Sequence, residues 1–532
     1  MVKRVLSVVL LSFLVASCAI PPQRQDTQYL IGRALEAMGP AGAVASLQTM
    51  SLTGTARFWE PEQSREPGGE MRFANESTFE LTRDFAAGAT RVDWVRNFAY
   101  PTPRTFKFTE IVTPGAGYVI GVDSSGRNRQ SLSMKPPAHA MSGLRLATTQ
   151  RELARSSPWL LQEMRHNADK VSPAGDIVIG GVTYAAVRYN AGAHAFIIAF
   201  DPESGLPARI RTLDYDNVWG DVNYDLVLSD WRMMGGVRIP VRQRYELNGR
   251  VVIDIAITGM TANSQVAAGR FEPPAAVKEG ATAPAMGNVP YQWVLRRQFI
   301  GTYMDSDSVS WDTRASTGLR LNELAPGVQH QAGGTHNSLI VEMSDHLVVF
   351  DAPVSDAQSN WTIAAAKARY PGKPIRFLVL THHHMDHCGG LRAYAAEGAS
   401  LVVGKGAADH FRKVLSAPYR RNPDLRTIDL GGTRIMEVAD RQVFGDGKRK
   451  VSAILYDNPH ATATLMGYVE DARIAYVTDV YSPGGPPLPA KSNPALASVV
   501  NAVRKAGIQP LTFAGGHGST APYAPLAGLA GK

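Results

Sequence analysis

Cysteine is almost absent: Cys18 and Cys388 are the only two in 532 residues. A disulfide-stapled scaffold is thereby excluded, and the fold must rest on packed cores. Charge is sparse too, at 19% of residues. The net charge of +8 is spread along the chain, and the densest basic stretch is GKRKV around Lys448. No nucleic-acid partner is expected from so diffuse a charge. No short repeat recurs at a fixed period. The apolar run from Val5 to Val15 is too short to cross a bilayer. What remains is ordinary for a folded chain, 44% hydrophobic and long enough for at least two domains.

That short run has a different use. Lys3 and Arg4 precede it and small residues follow, the layout of an export signal. The stretch Val15-Ala16-Ser17-Cys18 resembles the bacterial lipobox. The resemblance implies a lipoprotein signal peptide over residues 1–17, cleaved before Cys18, and acyl chains carried on that cysteine. Several chains together give stable membrane anchoring where one does not. Residues 18–25, including PPQRQ, then form the anchor and tether. Ala19 rather than Asp follows Cys18, so the inner-membrane retention cue is absent and the resemblance implies an expected place at the outer membrane, facing the periplasm.

Residues 26–272 read as a β-rich domain. Asp26 is a helix cap for TQYLIGRALEAM, and Gly39-Pro40 ends that helix. FELTRDF, FKFTEIV and GYVIGVD read as strands. GLRLATTQRELARSSPWLLQEMRH reads as one inserted helix. YELNGRVVIDIAI is a hairpin turning at Asn248-Gly249. The segments FDPESGLPARI, YDLVLSDWRMMGGVRIPVRQRYELNGRVV and ITGMTANSQVAAGRFEPP resemble the later strands of the LolA/LolB-like carrier fold. That resemblance implies an antiparallel β half-barrel with helices and an apolar concave face, with a lipid as a possible ligand. A plain spacer domain is the competing expectation. Residues 273–314, rich in Pro, Gly and Ala at their start, form a linker and a bridging helix. From residue 315 to 532 strands and helices alternate, the rhythm of a layered α/β domain.

The chemistry lies in that last part. IRFLVL is a buried strand that delivers THHHMDHCGG, four histidines and one aspartate in a run of ten. His382 and His384, two apart, can converge on one ion, and Asp386 and His387 can serve a second. Imidazole with carboxylate suits zinc, with iron or manganese possible. Further along, His460 lies on a loop, Asp479 ends the strand RIAYVT, and His517 follows a short apolar run. His383, between the two candidate ligands, reads as a bystander or outer-layer residue. Cys388 reads as a small buried residue. His336, in GGTHNSL, lies on a strand-edge loop and is a minor candidate for substrate contact.

The pattern His382, His384, Asp386, His387, then His460, Asp479 and His517, resembles the metallo-β-lactamase superfamily, nearest its glyoxalase-II-like branch. Several features are implied by that resemblance. One is an α+β protein whose C-terminal domain is an αββα sandwich. A second is a pair of zinc ions, one held by His382, His384 and His460 and the other by Asp386, His387 and His517, with Asp479 bridging them. The third is hydrolysis of an ester, thioester or lactone, in which a metal-bridging hydroxide attacks and Asp386 orients it and shuttles its proton. The residues before His460, YDNPH, depart from the glyoxalase pattern and put a thioester substrate in doubt. Two alternatives stand beside this expectation: a mono-iron dioxygenase of the same fold, and an envelope lipid-binding lipoprotein with a structural metal site.

Overall fold

The computed structural model describes residues 26–100, 102–123, 135–192, 194–278, 318–334, 336–421 and 430–529. The signal peptide, Cys18 and tether expected over residues 1–25 lie outside them, as does the bridging helix expected before residue 315. Among the described residues no helix is long and apolar enough to cross a membrane.

The amino-terminal part opens with α1 (Thr27–Met38). The Asp26 side chain accepts from the Gln28 amide at 2.9 Å, capping the helix as its sequence predicts. Leu30, Ile31, Ala34 and Met38 form its buried face. Then come β1 (Thr49–Glu60), β2 (Arg72–Asp84), β3 (Ala89–Phe98), β4 (Arg104–Val112), β5 (Gly117–Gly121) and β6 (Ala138–Ala140). Two helices follow, α2 (Gly143–Arg155) and α3 (Leu160–His166). They correct the expectation of a single helix. Pro158 has no N–H to donate, and Ser157 Oγ accepts from the Trp159 amide at 3.1 Å, so a new turn starts there.

Seven strands complete this part: β7 (Val171–Ile179), β8 (Val182–Ala191), β9 (His194–Phe200), β10 (Pro207–Asp216), β11 (Gly220–Met234), β12 (Val237–Leu247) and β13 (Arg250–Ala262). A short α4 (Ala275–Lys278) lies beyond. The β12–β13 hairpin turns at Asn248 (φ 48°) and Gly249 (φ 81°), the positive angles a tight hairpin requires. All thirteen strands form one antiparallel sheet, ordered β6-β5-β4-β3-β2-β1-β13-β12-β11-β10-β9-β8-β7. The first and last strands are thus neighbours at its middle. One large core joins α1 and α3 to the sheet through Ile31, Leu161, Met164, Phe196 and Leu226.

The carboxy-terminal part begins with β14 (Arg320–Ala325), β15 (Val328–Ala332), β16 (Ser338–Glu342), β17 (Leu347–Phe350), α5 (Asp356–Arg369) and β18 (Ile375–Val379). It continues with α6 (Met385–Cys388), α7 (Leu391–Ala396), β19 (Ser400–Gly404), α8 (Ala408–Ser416) and β20 (Ile435–Val438). Strands β14 to β20 form one mixed sheet. A second contains β21 (Arg441–Gly445), β22 (Lys450–Leu455), β23 (Leu465–Val469), β24 (Ile474–Val477), β25 (Thr512–Gly515) and β26 (Thr520–Pro522). Helices α9 (Pro494–Lys505) and α10 (Tyr523–Leu529) flank it.

Strand alternation sorts the layers. In β17, Val348 and Phe350 face the second sheet and meet Val451 and Tyr476. Leu347 and Val349 point the other way, against Ile363 of α5 and Phe411 of α8. The outer face of the second sheet packs on Val499 and Val503 of α9. The order is helix, sheet, sheet, helix.

The two parts interlock. The turn between β10 and β11 enters the second core, where Val218, 1% exposed, joins the buried cluster that also holds Leu347 and Tyr394. Asn217 Nδ2 donates to the Val354 carbonyl at 2.8 Å. The Pro418 carbonyl accepts from the Asp221 amide, and the Asp221 carboxylate accepts from the Arg421 amide at 2.8 Å.

Candidate metal centre

The centre grows from the end of β18. That strand is hydrogen-bonded between β17 and β19, and Leu380 and Thr381 continue it inward, fully buried. Asp351, at the end of β17, grips the exit. Its Oδ1 accepts from the Thr381 amide at 2.8 Å and its Oδ2 from Thr381 Oγ1 at 3.0 Å. The chain then turns into α6, which carries Asp386 and His387. Gly389 and Gly390 make that turn possible. A Cβ at Gly389 would lie 2.3 Å from the Val354 carbonyl oxygen, and one at Gly390 2.1 Å from Ser359 Oγ.

Three more segments close on this point. Asn458 Oδ1 accepts from the amides of His460 and Ala461, holding the His460 loop. Asp479 follows β24. The turn after β25 bears His517, and Asn337 Nδ2 ties it by donating to the carbonyls of Gly515 and Gly518.

The result is two adjoining groups. His382, His384, His460 and Asp479 form one, and His336, Asp386, His387 and His517 the other; within each, one ligating atom per residue lies within 4.8 Å of the rest. Asp479 faces both. Its Oδ2 is 2.9 Å from His382 Nε2 and 2.9 Å from His460 Nε2, while its Oδ1 is 3.2 Å from His387 Nε2 and also meets His517 Nε2. All seven residues expected from the sequence as ligands are therefore brought together. His336 joins them as an eighth, with Nε2 3.0 Å from Asp386 Oδ2. Its sequence signal was weak, a lone histidine on a strand-edge loop. His383 stands outside both groups. It is buried, with Nε2 3.0 Å from the Ser64 carbonyl oxygen. Cys388 is buried and its thiol points to the His383 carbonyl at 3.3 Å.

The donor set fits divalent cations. Ser64 O, an acceptor only, lies 2.7 Å from His384 Nε2, so that nitrogen carries the proton and Nδ1 keeps its lone pair. His384 Nδ1 lies 2.9 Å from His460 Nε2. In the same way His387 Nδ1 donates to Asp351 Oδ2 at 3.0 Å, leaving Nε2 turned to Asp479 and His517. Histidines anchored through the far nitrogen to a carbonyl or carboxylate are the usual arrangement of metal ligands. His382 Nε2 and Asp479 Oδ2 are buried and 2.9 Å apart, yet neither makes a hydrogen bond. Imidazole nitrogens and carboxylate oxygens converging this closely in a buried place are the donor set of a cation site.

Ionisation follows the same logic. Burial pushes His382 and His384 down, keeping both imidazoles neutral. Burial takes His336 to about 3, with His517 adding to the effect. Burial alone would raise Asp479, but His387, His460 and His517 outweigh it and hold the carboxyl well below its ordinary range. Asp386 is likewise held low against burial, chiefly by its bond from His336. His387 is the exception. Burial opposes its charge, but Asp479 and Asp351 raise it well above the ordinary imidazole value. A cation between these carboxylates would answer the same negative charge.

The surrounding backbone is strained. Asp351, Val354, Ala463 and Asp479 all have φ between 56° and 68°, in the left-handed region that non-glycine residues avoid. Such residues cost about 1–3 kcal/mol each and gather at functional sites.

The metallo-beta-lactamase superfamily model matches residues 332–520, which include the whole constellation. Residues 332–520 are a metallo-beta-lactamase superfamily domain. Solved structures similar to the chain include the inverting sec-alkylsulfatase Pisa1 from Pseudomonas sp., at 14% identity over 41% of this chain and 41% of that one, with a TM-score of 0.32. A metallo-beta-lactamase from Pontibacter korlensis aligns at 17% identity over 40% of this chain and 97% of its own, with a TM-score of 0.31. The flavodiiron core of Flv1 from Synechocystis sp. aligns at 15% identity over 39% and 58%, with a TM-score of 0.31. The chain thus spans less than half of the alkylsulfatase. No curated protein matches the chain. The sheet of residues 49–262 lies outside the superfamily match.

Proposed function

We propose that the metallo-beta-lactamase domain is a metal-dependent hydrolase acting on an ester, thioester or lactone. The observation that carries this reading is the pair of His/Asp groups sharing Asp479, with His382 Nε2 and Asp479 Oδ2 buried 2.9 Å apart. His382, His384 and His460 would hold one divalent ion, zinc by preference. His336, Asp386, His387 and His517 would hold the other, and Asp479 would serve both. Such ions supply Lewis acidity and a water of lowered pKa. The chain does the rest. Asp351 fixes the His387 tautomer, Asp386 would orient the attacking water and help shuttle its proton, and burial of these groups keeps bulk water away. His460 and His517, 18% and 23% exposed, are the open rim through which substrate reaches the centre. The test is metal quantitation on purified protein, joined to a screen of ester, lactone, thioester, phosphodiester and sulfate ester substrates. Two ions per chain with turnover in the first three classes is expected. One iron with oxygen consumption would replace hydrolysis by dioxygenase chemistry.

The remainder of the chain extends the proposal. We read residues 26–272 as a LolA/LolB-like carrier domain. Its support is a largely apolar cavity of about 180 Å³ between the sheet and α2, lined by Leu52, Phe79, Trp94, Leu153 and Ile255. Lipid co-purifying with the protein, detected by native mass spectrometry, is the expected result. Cys18 would carry the lipid anchor at the outer membrane, so Cys18→Ala should move the protein from the membrane to the soluble fraction.

A further inference from the structure

The loop between β1 and β2 belongs to the amino-terminal sheet, yet its tip lies against the metal centre, 323 positions away in sequence between Gln63 and Asp386. Gln63 is 4% exposed. Its Nε2 donates to Asp386 Oδ1 at 2.8 Å, and its Oε1 accepts from the Tyr100 hydroxyl at 2.7 Å. The polarity of this relay is forced. An ionised carboxylate only accepts, so the amide nitrogen must face Asp386, and the amide oxygen is left for the phenol. Asp386 Oδ2 in turn meets His336. The next residue serves the other group: the Ser64 carbonyl receives the His384 Nε2 proton at 2.7 Å.

Neighbouring contacts hold the tip in place. Arg65 donates to the carbonyls of Asn458 and Pro459, and its own carbonyl accepts from the Thr462 amide. Arg72 donates to the His460 carbonyl at 3.1 Å and lies over the Tyr100 ring, 4.6 Å from its centroid. Glu62, just before the tip, has φ 60°, a strained angle that persists only where the surroundings dictate it.

We propose that the amino-terminal domain supplies the outer shell of the metal centre. Gln63 is a positioning residue for Asp386, Tyr100 positions Gln63, and the Ser64 carbonyl positions His384. The centre is then complete only in the two-domain chain. This rests on the two-ion reading above, and the test separates the two.

Zinc is titrated into the metal-free full chain in competition with a chromophoric chelator, for wild type, Gln63→Leu, Tyr100→Phe and the double variant. Outer-shell partners of metal ligands are worth about 10–100-fold in affinity. Gln63→Leu should weaken one of the two ions by that factor and leave the other within about three-fold. Tyr100→Phe should weaken the same ion by less, and the double variant should match Gln63→Leu, because the two residues act in series. Asp221→Ala, which removes an interdomain hydrogen bond away from the centre, should leave both ions unchanged. Melting of the metal-free proteins checks folding, and Tyr100→Phe, the smaller change, carries the test if Gln63→Leu fails to fold. Wild type that binds no zinc overturns the metal reading and this inference together. Wild type with two ions, and variants equal to it in affinity, overturn this inference alone. Equal weakening of both ions by Gln63→Leu and Asp221→Ala would make the loop mere interdomain cement and overturn it as well.

Discussion

Asp351 touches four groups: the amide and hydroxyl of Thr381, His387 Nδ1 and the Tyr476 hydroxyl. Replacing it by Asn puts an amide nitrogen where a carboxylate oxygen accepts. Asp351→Asn should cost about 1.5–3 kcal/mol for the hydrogen bonds of a charged group, read by urea unfolding. It should also weaken zinc at the His387 site about 10–100-fold, read by chelator competition. Asp479→Ala should do more, removing at least one ion per chain by elemental analysis, since both groups use that side chain. At this scale the sequence was most readable where ligands cluster. The run His382 to His387 announces itself because strand-end residues spaced by one or two positions must converge. Asp351 escaped that reading, and His336 was read only as a minor candidate for substrate contact, not as a ligand. Each sits alone after or before a strand, and only sheet pairing brings it to the run.

Helix α6 shows how an element aims such residues. It is a single turn, and its position is set by Gly389 and Gly390, each pressed against backbone of the 354–355 segment. Gly390→Ala would force a methyl to within 2.4 Å of the Ser355 carbonyl oxygen. Overpacking of this kind costs about 1–3 kcal/mol. The variant should melt earlier and, because α6 carries Asp386 and His387, bind zinc more weakly. The same scale shows what patterning does and does not disclose. Asp26 as a cap and Asn248-Gly249 as a hairpin turn were legible, because each acts on its own immediate backbone. The break between α2 and α3 was misread because apolar spacing continues across Ser156-Ser157-Pro158, and only the missing proline N–H interrupts it. For the sheet of residues 49–262, individual strands could be read from alternation, but not that β1 would pair with β13, since such a partner is fixed by the whole sheet.

Across the whole molecule, the β1–β2 loop and the β10–β11 turn bind the two parts at separate places. Metal removal should therefore be felt on both sides. With free zinc near a thousand times its dissociation constant, binding would add about 4 kcal/mol to stability. Chelation should lower the melting temperature and raise amide hydrogen exchange around residues 61–66, far from the superfamily domain in sequence. Unchanged exchange in that loop would mean the parts are independent. No spacing rule could have linked Gln63 to Asp386, so the amino-terminal part read only as a spacer or carrier. The Ser64 contact carries one more consequence. The group that receives the His384 proton is a main-chain carbonyl, which every amino acid provides. Exchanging the side chain at position 64 preserves it, whereas inserting or deleting one residue in the loop displaces it by about 3.5 Å. What evolution must hold constant there is a length, not a letter, and related proteins are better compared by counting residues between Glu60 and Arg72 than by matching them.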